Sequence, residues 1–162
     1  MPRKAKSIPG PSRLSKILLQ LNKAPKPNLV GLKSLKLTLA AKNDHFGARH
    51  FLKEDMPRIR YTNPNLNIEV NRLPKAKEET WKPEMMLEFR NGKTQTLNLD
   101  KKWSWNIFKD LMEAAGGTSW ARWKAEREAA GLPIVEGAPP NPSPFASSSP
   151  KPEKTGAAAV LP

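Results

Sequence analysis

Apolar side chains along this chain recur with two different periods, and the order of those periods predicts its elements. Leu14, Ile17, Leu18 and Leu21 fall at i, i+3, i+4 and i+7, one face of a helix, with Ser12 placed to cap the first turn. Pro25 and Pro27 end that helix, and Arg13, Lys16 and Lys23 decorate it outside the stripe. Leu35, Leu37 and Leu39 then alternate with Lys36 and Thr38, which predicts a half-buried strand. After a turn at Asn43-Asp44, residues 46–61 return to the helical period, with Ala48, Phe51, Leu52, Met56 and Ile59 on one side and Pro57 set to kink or split the helix. Asn63-Pro64-Asn65 stops it, and Leu66, Ile68 and Val70 alternate with Asn67 and Glu69 as a second strand. Residues 71–83 are polar and contain Pro74 and Pro83, so they read as a loop.

Two strand-like runs follow, Met85 to Phe89 and Thr94 to Leu99, around Asn91-Gly92, a strong hairpin signal. From Ser104 a helix carries Phe108, Leu111, Met112 and Ala115 on one face, with Gly116-Gly117 as its C-cap. A mostly polar helix with Trp120 and Trp123 spans 119–130 before Gly131 and Pro133. The expected core is Leu37, Leu39, Phe51, Leu52, Ile59, Leu66, Ile68, Val70, Leu87, Phe89, Leu97, Leu99, Phe108 and Leu111.

The central order is strand, helix, strand, strand, strand, helix. A helix of that length between the first two strands suits a parallel crossover, and the last two strands make an antiparallel hairpin. The expected fold is therefore α/β: a four-stranded mixed sheet with flanking helices, the arrangement of thioredoxin-like domains. Four segments result: a basic N-terminal arm and amphipathic helix (1–32), the sheet domain (33–116), a C-terminal helix (117–136) and a Pro/Ala/Ser-rich tail (137–162). Pro2, Pro9 and Pro11 make residues 1–11 an extended arm. The tail composition cannot bury a core and suits an extended segment lying in a groove of a neighbouring protein.

Charge changes the picture. Among 162 residues, Lys plus Arg is 28 and Asp plus Glu is 15, a net charge of +13 that calls for a polyanionic partner. Residues 1–40 hold nine of the cations and no acid, so the N-terminal quarter is a polycation. It also has the basic, acid-free, amphipathic character of a mitochondrial targeting segment, here expected to be retained in the mature protein. There is no cysteine, which removes disulfides, thiolate metal sites and thiol redox chemistry. No apolar run is long enough to span a bilayer.

The stretch 46–72, FGARHFLKEDMPRIRYTNPNLNIEVNR, resembles the signature segment of a mitochondrial family that includes ribosomal proteins of both subunits and an accessory subunit of respiratory complex I. The residues that carry the likeness are Gly47, Ala48, Arg49, Phe51, Asn63, Pro64 and the alternating strand Leu66 to Val70. With the hairpin and the helix at 104–115, the resemblance covers roughly residues 33–116, and it is nearest to the fungal large-subunit member. It implies a thioredoxin-like fold, a location in the mitochondrial matrix and a structural role in the mitoribosome, with rRNA and neighbouring mitoribosomal proteins as partners. The alternatives it leaves open are an accessory subunit of complex I and a small-subunit ribosomal protein.

The residues expected to meet RNA phosphates are Arg3, Lys4, Lys6, Arg13, Lys16, Lys23, Lys26 and Lys33 toward the N-terminus, and Arg49, Lys53, Arg58 and Arg60 on the first domain helix. The competing reading for the second group is a solvated helix face with Glu54 and Asp55 as local ion partners. Asp44, His45, His50, Glu54 and Asp55 include metal-ligating types, but their spacing fits a surface His–Glu pair better than a metal site. Trp103, Trp105, Trp120 and Trp123 offer base-stacking rings, although large aromatics in so polar a chain more often fill a core edge. No nucleophile stands at a recognisable spacing from a base, so neither catalysis nor a cofactor nor a small-molecule substrate is expected. A nuclease would need a carboxylate cluster that these acids do not form.

Overall fold

The alternation of Leu35, Leu37 and Leu39 with Lys36 and Thr38 becomes β1 (Leu32–Ala40), the strand around which the other elements assemble. The computed structural model describes residues 10–138. Arg3, Lys4, Lys6 and most of the 137–162 tail therefore lie outside the described residues. Along the chain the elements are α1 (Arg13–Leu21), β1, α2 (Phe46–Glu54), α3 (Met56–Thr62), β2 (Asn67–Leu73), β3 (Glu84–Phe89), β4 (Thr94–Asn98), α4 (Ser104–Ala115) and α5 (Gly117–Ala129).

One four-stranded sheet has the order β2-β1-β3-β4. β1 pairs parallel with β2 and antiparallel with β3, and β3 pairs antiparallel with β4. This is the expected mixed sheet, compatible with a thioredoxin-like fold. The register sets Leu35 against Ile68 and Leu87, and Leu37 against Val70 and Met85, so the middle of one face of the sheet is apolar. Phe51, Met56, Ile59, Ile107, Phe108, Leu111 and Met112 close over that face. The other face bears Ser34, Lys36, Thr38, Asn67, Glu69, Glu84, Met86 and Glu88.

The expected core is buried or packed against it, with Leu52, Leu66, Ile68, Val70, Phe89 and Leu97 only partly enclosed. Burying a large aliphatic or aromatic side chain contributes roughly 1.5–3 kcal/mol, so the fully enclosed Phe51, Phe108, Leu35, Leu37 and Leu39 dominate the stabilisation. Pro57 splits the helix as expected, and it stands in the first turn of α3, where its missing N–H costs nothing. Gly116 caps α4, but Gly117 with φ of +58° begins α5 at once, two residues earlier than its pattern suggested. Gly47 is required by contact, because a Cβ there would stand 1.8 Å from the Lys102 carbonyl oxygen. Only a glycine lets the start of α2 sit against the segment that leads into α4.

Two differences from the sequence expectation matter for function. β2 continues through Asn71, Arg72 and Leu73, residues assigned to a polar loop, because β1 extends to pair with them. The proline segment that ends α1 is also not a free linker. Pro25, Pro27 and Leu29 are buried at alternate positions, forming a strap across α3. Arg58 and Asn63 hold this strap by its backbone. Arg58 Nη2 donates to the Lys23 and Pro25 carbonyls, both at 2.8 Å. Asn63 Nδ2 donates to the Pro27 carbonyl at 2.7 Å, and its Oδ1 accepts from the Leu29 N–H at 3.0 Å.

Candidate nucleic-acid interface

Helix α2 presents two stripes. Ala48 and Phe51 are buried, with Leu52 half-buried beside them, and this fixes the rotation of the helix. Phe46, Arg49, His50 and Lys53, at i, i+3, i+4 and i+7, are consequently turned outward along one edge. Arg72 faces the same edge. It continues the Ile68, Val70 alternation on the helix side of β2, the outermost strand, in register with Leu39. Arg49, His50, Lys53, Phe46 and Arg72 together line a concavity of about 530 Å³ floored by Leu39, Ala40, Ala41 and Leu52. Arg72 also lines the adjoining hollow with Leu52, Met56, Pro57, Arg60 and Val70. Neither hollow has a carboxylate in its lining.

The ion pairs divide the remaining cations. Among the described residues, Arg49, Lys53, Arg60 and Arg72 form no salt bridge, although His50 Nδ1 stands 3.8 Å from Glu54. By contrast Lys33 is 2.7 Å from Glu88, and Lys23 pairs with Glu136. Arg13, Lys16 and Lys26 are exposed. The open sheet face sets Glu69, Glu84 and Glu88 against Lys33 and Lys36, so it holds no cationic excess. What sets the α2–α3–β2 edge apart is that four of the unpaired cations stand together around two hollows whose linings hold no carboxylate, so a phosphate chain lying in them meets cations alone.

Arg58 corrects the sequence expectation. It is 8% exposed and lies within the fold rather than on the helix surface beside Arg60. Its Nη1 donates to Asp55 at 2.9 Å, its Nη2 is shared by the strap carbonyls, and the guanidinium lies 5.4 Å from the Phe108 ring centroid. Helix phase decides this, since Ile59 and Met56 must face the core and Arg58 shares their side. Burial pushes the Asp55 carboxyl up to about 6, even with the Arg58 cation and hydrogen bond pulling it down.

The residues considered for a metal do not come together. Among the described residues no group of three His, Asp or Glu side chains is placed to hold one. His45 is buried, its Nδ1 accepting the Ala40 N–H at 3.0 Å and its ring edge-on to Trp81 with centroids 4.9 Å apart. Lys75, from the polar loop, binds Asp44 and donates to the Trp81 carbonyl at 3.0 Å. Burial pushes the His45 imidazole below its ordinary value, while the Lys75 hydrogen bond lowers Asp44. This cluster fastens the 74–82 loop to the start of α2. Of the four tryptophans considered as base platforms, Trp120 is buried edge-on to Phe108 and Trp123 donates to the Ile134 carbonyl at 2.9 Å. Trp103 is exposed and Trp105 half-buried.

Sequence reasoning missed Arg72 and the outward Phe46. The alternation Ile68, Val70, Arg72 signalled the first, and the i, i+3, i+4, i+7 spacing from Phe46 to Lys53 signalled the second.

Fold and surface together define an α/β domain of thioredoxin-like arrangement whose helix-and-edge-strand border is cationic. Residues 48–104 match the model of a family described as the Mitochondrial ribosomal protein L51 / S25 / CI-B8 domain, the family that the signature segment resembles. The match runs from α2 to the start of α4, about a third of the chain, and includes Arg49, Lys53, Arg60 and Arg72. It is a family of mitochondrial ribosomal and respiratory-complex subunits, structural rather than catalytic in role. No curated relative matches the chain. Among the described residues no helix is long and apolar enough to cross a membrane.

Proposed function

We propose that this protein is a structural constituent of the mitochondrial ribosome in the matrix, belonging to the large subunit and holding rRNA through basic segments while neighbouring ribosomal proteins cover other surfaces. It is not an enzyme. The observation that carries this reading is the set of four unpaired cations on the α2–α3–β2 edge in a chain of net charge +13. Each phosphate contact releases condensed counterions, which gives a cationic edge of this kind an entropic drive toward RNA. A place in respiratory complex I, the other role in the family description, calls for no such excess because its partners are proteins. Arg13, Lys16 and Lys26 extend the charge along the N-terminal segment, whose entry to the domain is set by the Arg58 and Asn63 clamp.

Sedimentation of a mitochondrial lysate on a sucrose gradient, with and without ribonuclease, tests the assignment. The expected result is migration with the large ribosomal subunit, lost on RNA digestion. Migration with the small subunit, with a respiratory complex, or as free protein would overturn the large-subunit assignment, and the last two would overturn a ribosomal role altogether.

A further inference from the structure

Phe46 is 63% exposed, although it opens a helix whose other ring, Phe51, is fully enclosed. A single exposed phenyl ring is unremarkable on a protein surface. This ring, however, shares the lining of the cationic concavity with Arg49, Lys53 and Arg72. It lies one helical turn from Arg49 and two from Lys53, on the same stripe of α2. An aromatic platform beside a row of unpaired cations is the arrangement that grips single-stranded nucleic acid: bases stack on the ring while the backbone tracks the charges. A paired duplex keeps its bases stacked on one another and cannot use the ring.

We propose that the concavity at Phe46 is a subsite for an unpaired RNA nucleotide, its base stacked on the Phe46 ring and its flanking phosphates held by Arg49 and Arg72. This inference rests on the RNA-binding role proposed above and goes further, because it specifies unpaired rather than helical RNA at this edge. The concavity favours a nucleotide over a protein side chain because its charged lining is wholly cationic, with His50 as the remaining polar ring and no carboxylate to orient a basic partner.

The test uses the full chain and measures affinity for a short single-stranded RNA and for the duplex form of the same strand, across a range of salt. Phe46→Ala should weaken single-strand binding roughly five- to a hundredfold, the effect of removing one stacking ring, and should leave duplex binding within about twofold. Phe46→Tyr, which keeps the ring, should restore the single-strand affinity. Arg72→Ala should flatten the salt dependence on both RNAs. If Arg72→Ala acts but Phe46→Ala changes neither affinity, the stacking subsite is wrong and the RNA-binding role stands. Equal losses on single strand and duplex would also overturn the subsite. If the unaltered chain binds neither RNA in a salt-dependent manner, the underlying RNA-binding role fails. Loss of ribosome association by Phe46→Ala with RNA affinity intact would assign the ring to a protein contact and overturn the proposal.

Discussion

Replacing Arg58 with Met keeps much of the side-chain volume and removes the guanidinium. Three hydrogen bonds disappear, to Asp55 at 2.9 Å and to the Lys23 and Pro25 carbonyls at 2.8 Å, together with the contact to Phe108. Removing one partner of a buried ion pair costs about 3–5 kcal/mol, because the remaining charge is left uncompensated. Asp55 makes that cost depend on pH. Its carboxyl already titrates near 6 with Arg58 beside it, and loss of the cation raises it further. A carboxyl whose folded pKa lies above its unfolded value contributes stability that is fully present below the unfolded pKa, near 4. That contribution is lost as pH rises through the folded pKa. The penalty of Arg58→Met should therefore be smaller near pH 5, where protonated Asp55 no longer needs the cation and only the strap carbonyls lose their donor, and full near pH 8. Urea unfolding followed by tryptophan fluorescence at the two pH values measures it. A domain of typical stability remains folded after such a loss. A penalty under about 1 kcal/mol at pH 8, or a larger one at pH 5 than at pH 8, would refute the buried clamp. The folded variant should also keep the salt dependence of RNA binding, since Arg58 has no surface left to offer a phosphate.

Gly47→Ala should lower the melting temperature, by roughly 1–3 kcal/mol of overpacking, because the added methyl meets the Lys102 carbonyl oxygen at 1.8 Å. Helix propensity alone gives the opposite sign, about 1 kcal/mol of gain, so a raised melting temperature would refute the close approach. Phe51→Ala should cost roughly 3–5 kcal/mol, since Phe51 is 0% exposed; an unchanged melting curve would mean that α2 is rotated. Deleting residues 1–11 should weaken RNA association, whereas deleting 137–162 should leave it nearly unchanged, because cations are concentrated at the first end. A greater loss from the second deletion, by filter binding, would reverse those roles.

The parts of the fold that follow a local period were legible in the residues. Leu35, Leu37 and Leu39 announced β1, and Asn91-Gly92 announced the β3–β4 hairpin, because one side of each strand must be buried. The break at Pro57 was equally local. What depended on distant partners was not legible. Asn71 and Arg72 are polar enough for a loop, and only pairing with β1 makes them strand. Pro25 and Pro27 marked the end of a helix correctly, but nothing near them reveals that Arg58 and Asn63 hold the strap they form. The same holds for the interface. Arg58 and Arg60 are chemically identical and two residues apart, yet the phase of α3 buries the first and exposes the second. Lys33 and Lys23 looked available until Glu88 and Glu136 were brought to them by the fold.

The central claim, that RNA is held along the α2–α3–β2 edge, is tested most directly by the salt dependence of RNA affinity. The measurement compares the unaltered chain with a variant carrying Arg49→Ala, Lys53→Ala, Arg60→Ala and Arg72→Ala together. All four side chains lie outside the fully buried core, so the variant should melt close to the original and remain comparable. Each phosphate contact contributes about 0.7 to the log–log slope on single-stranded RNA, so loss of four should flatten the slope by up to about 3. A slope that stays as steep in the folded variant as in the unaltered chain would contradict the placement of RNA on this edge.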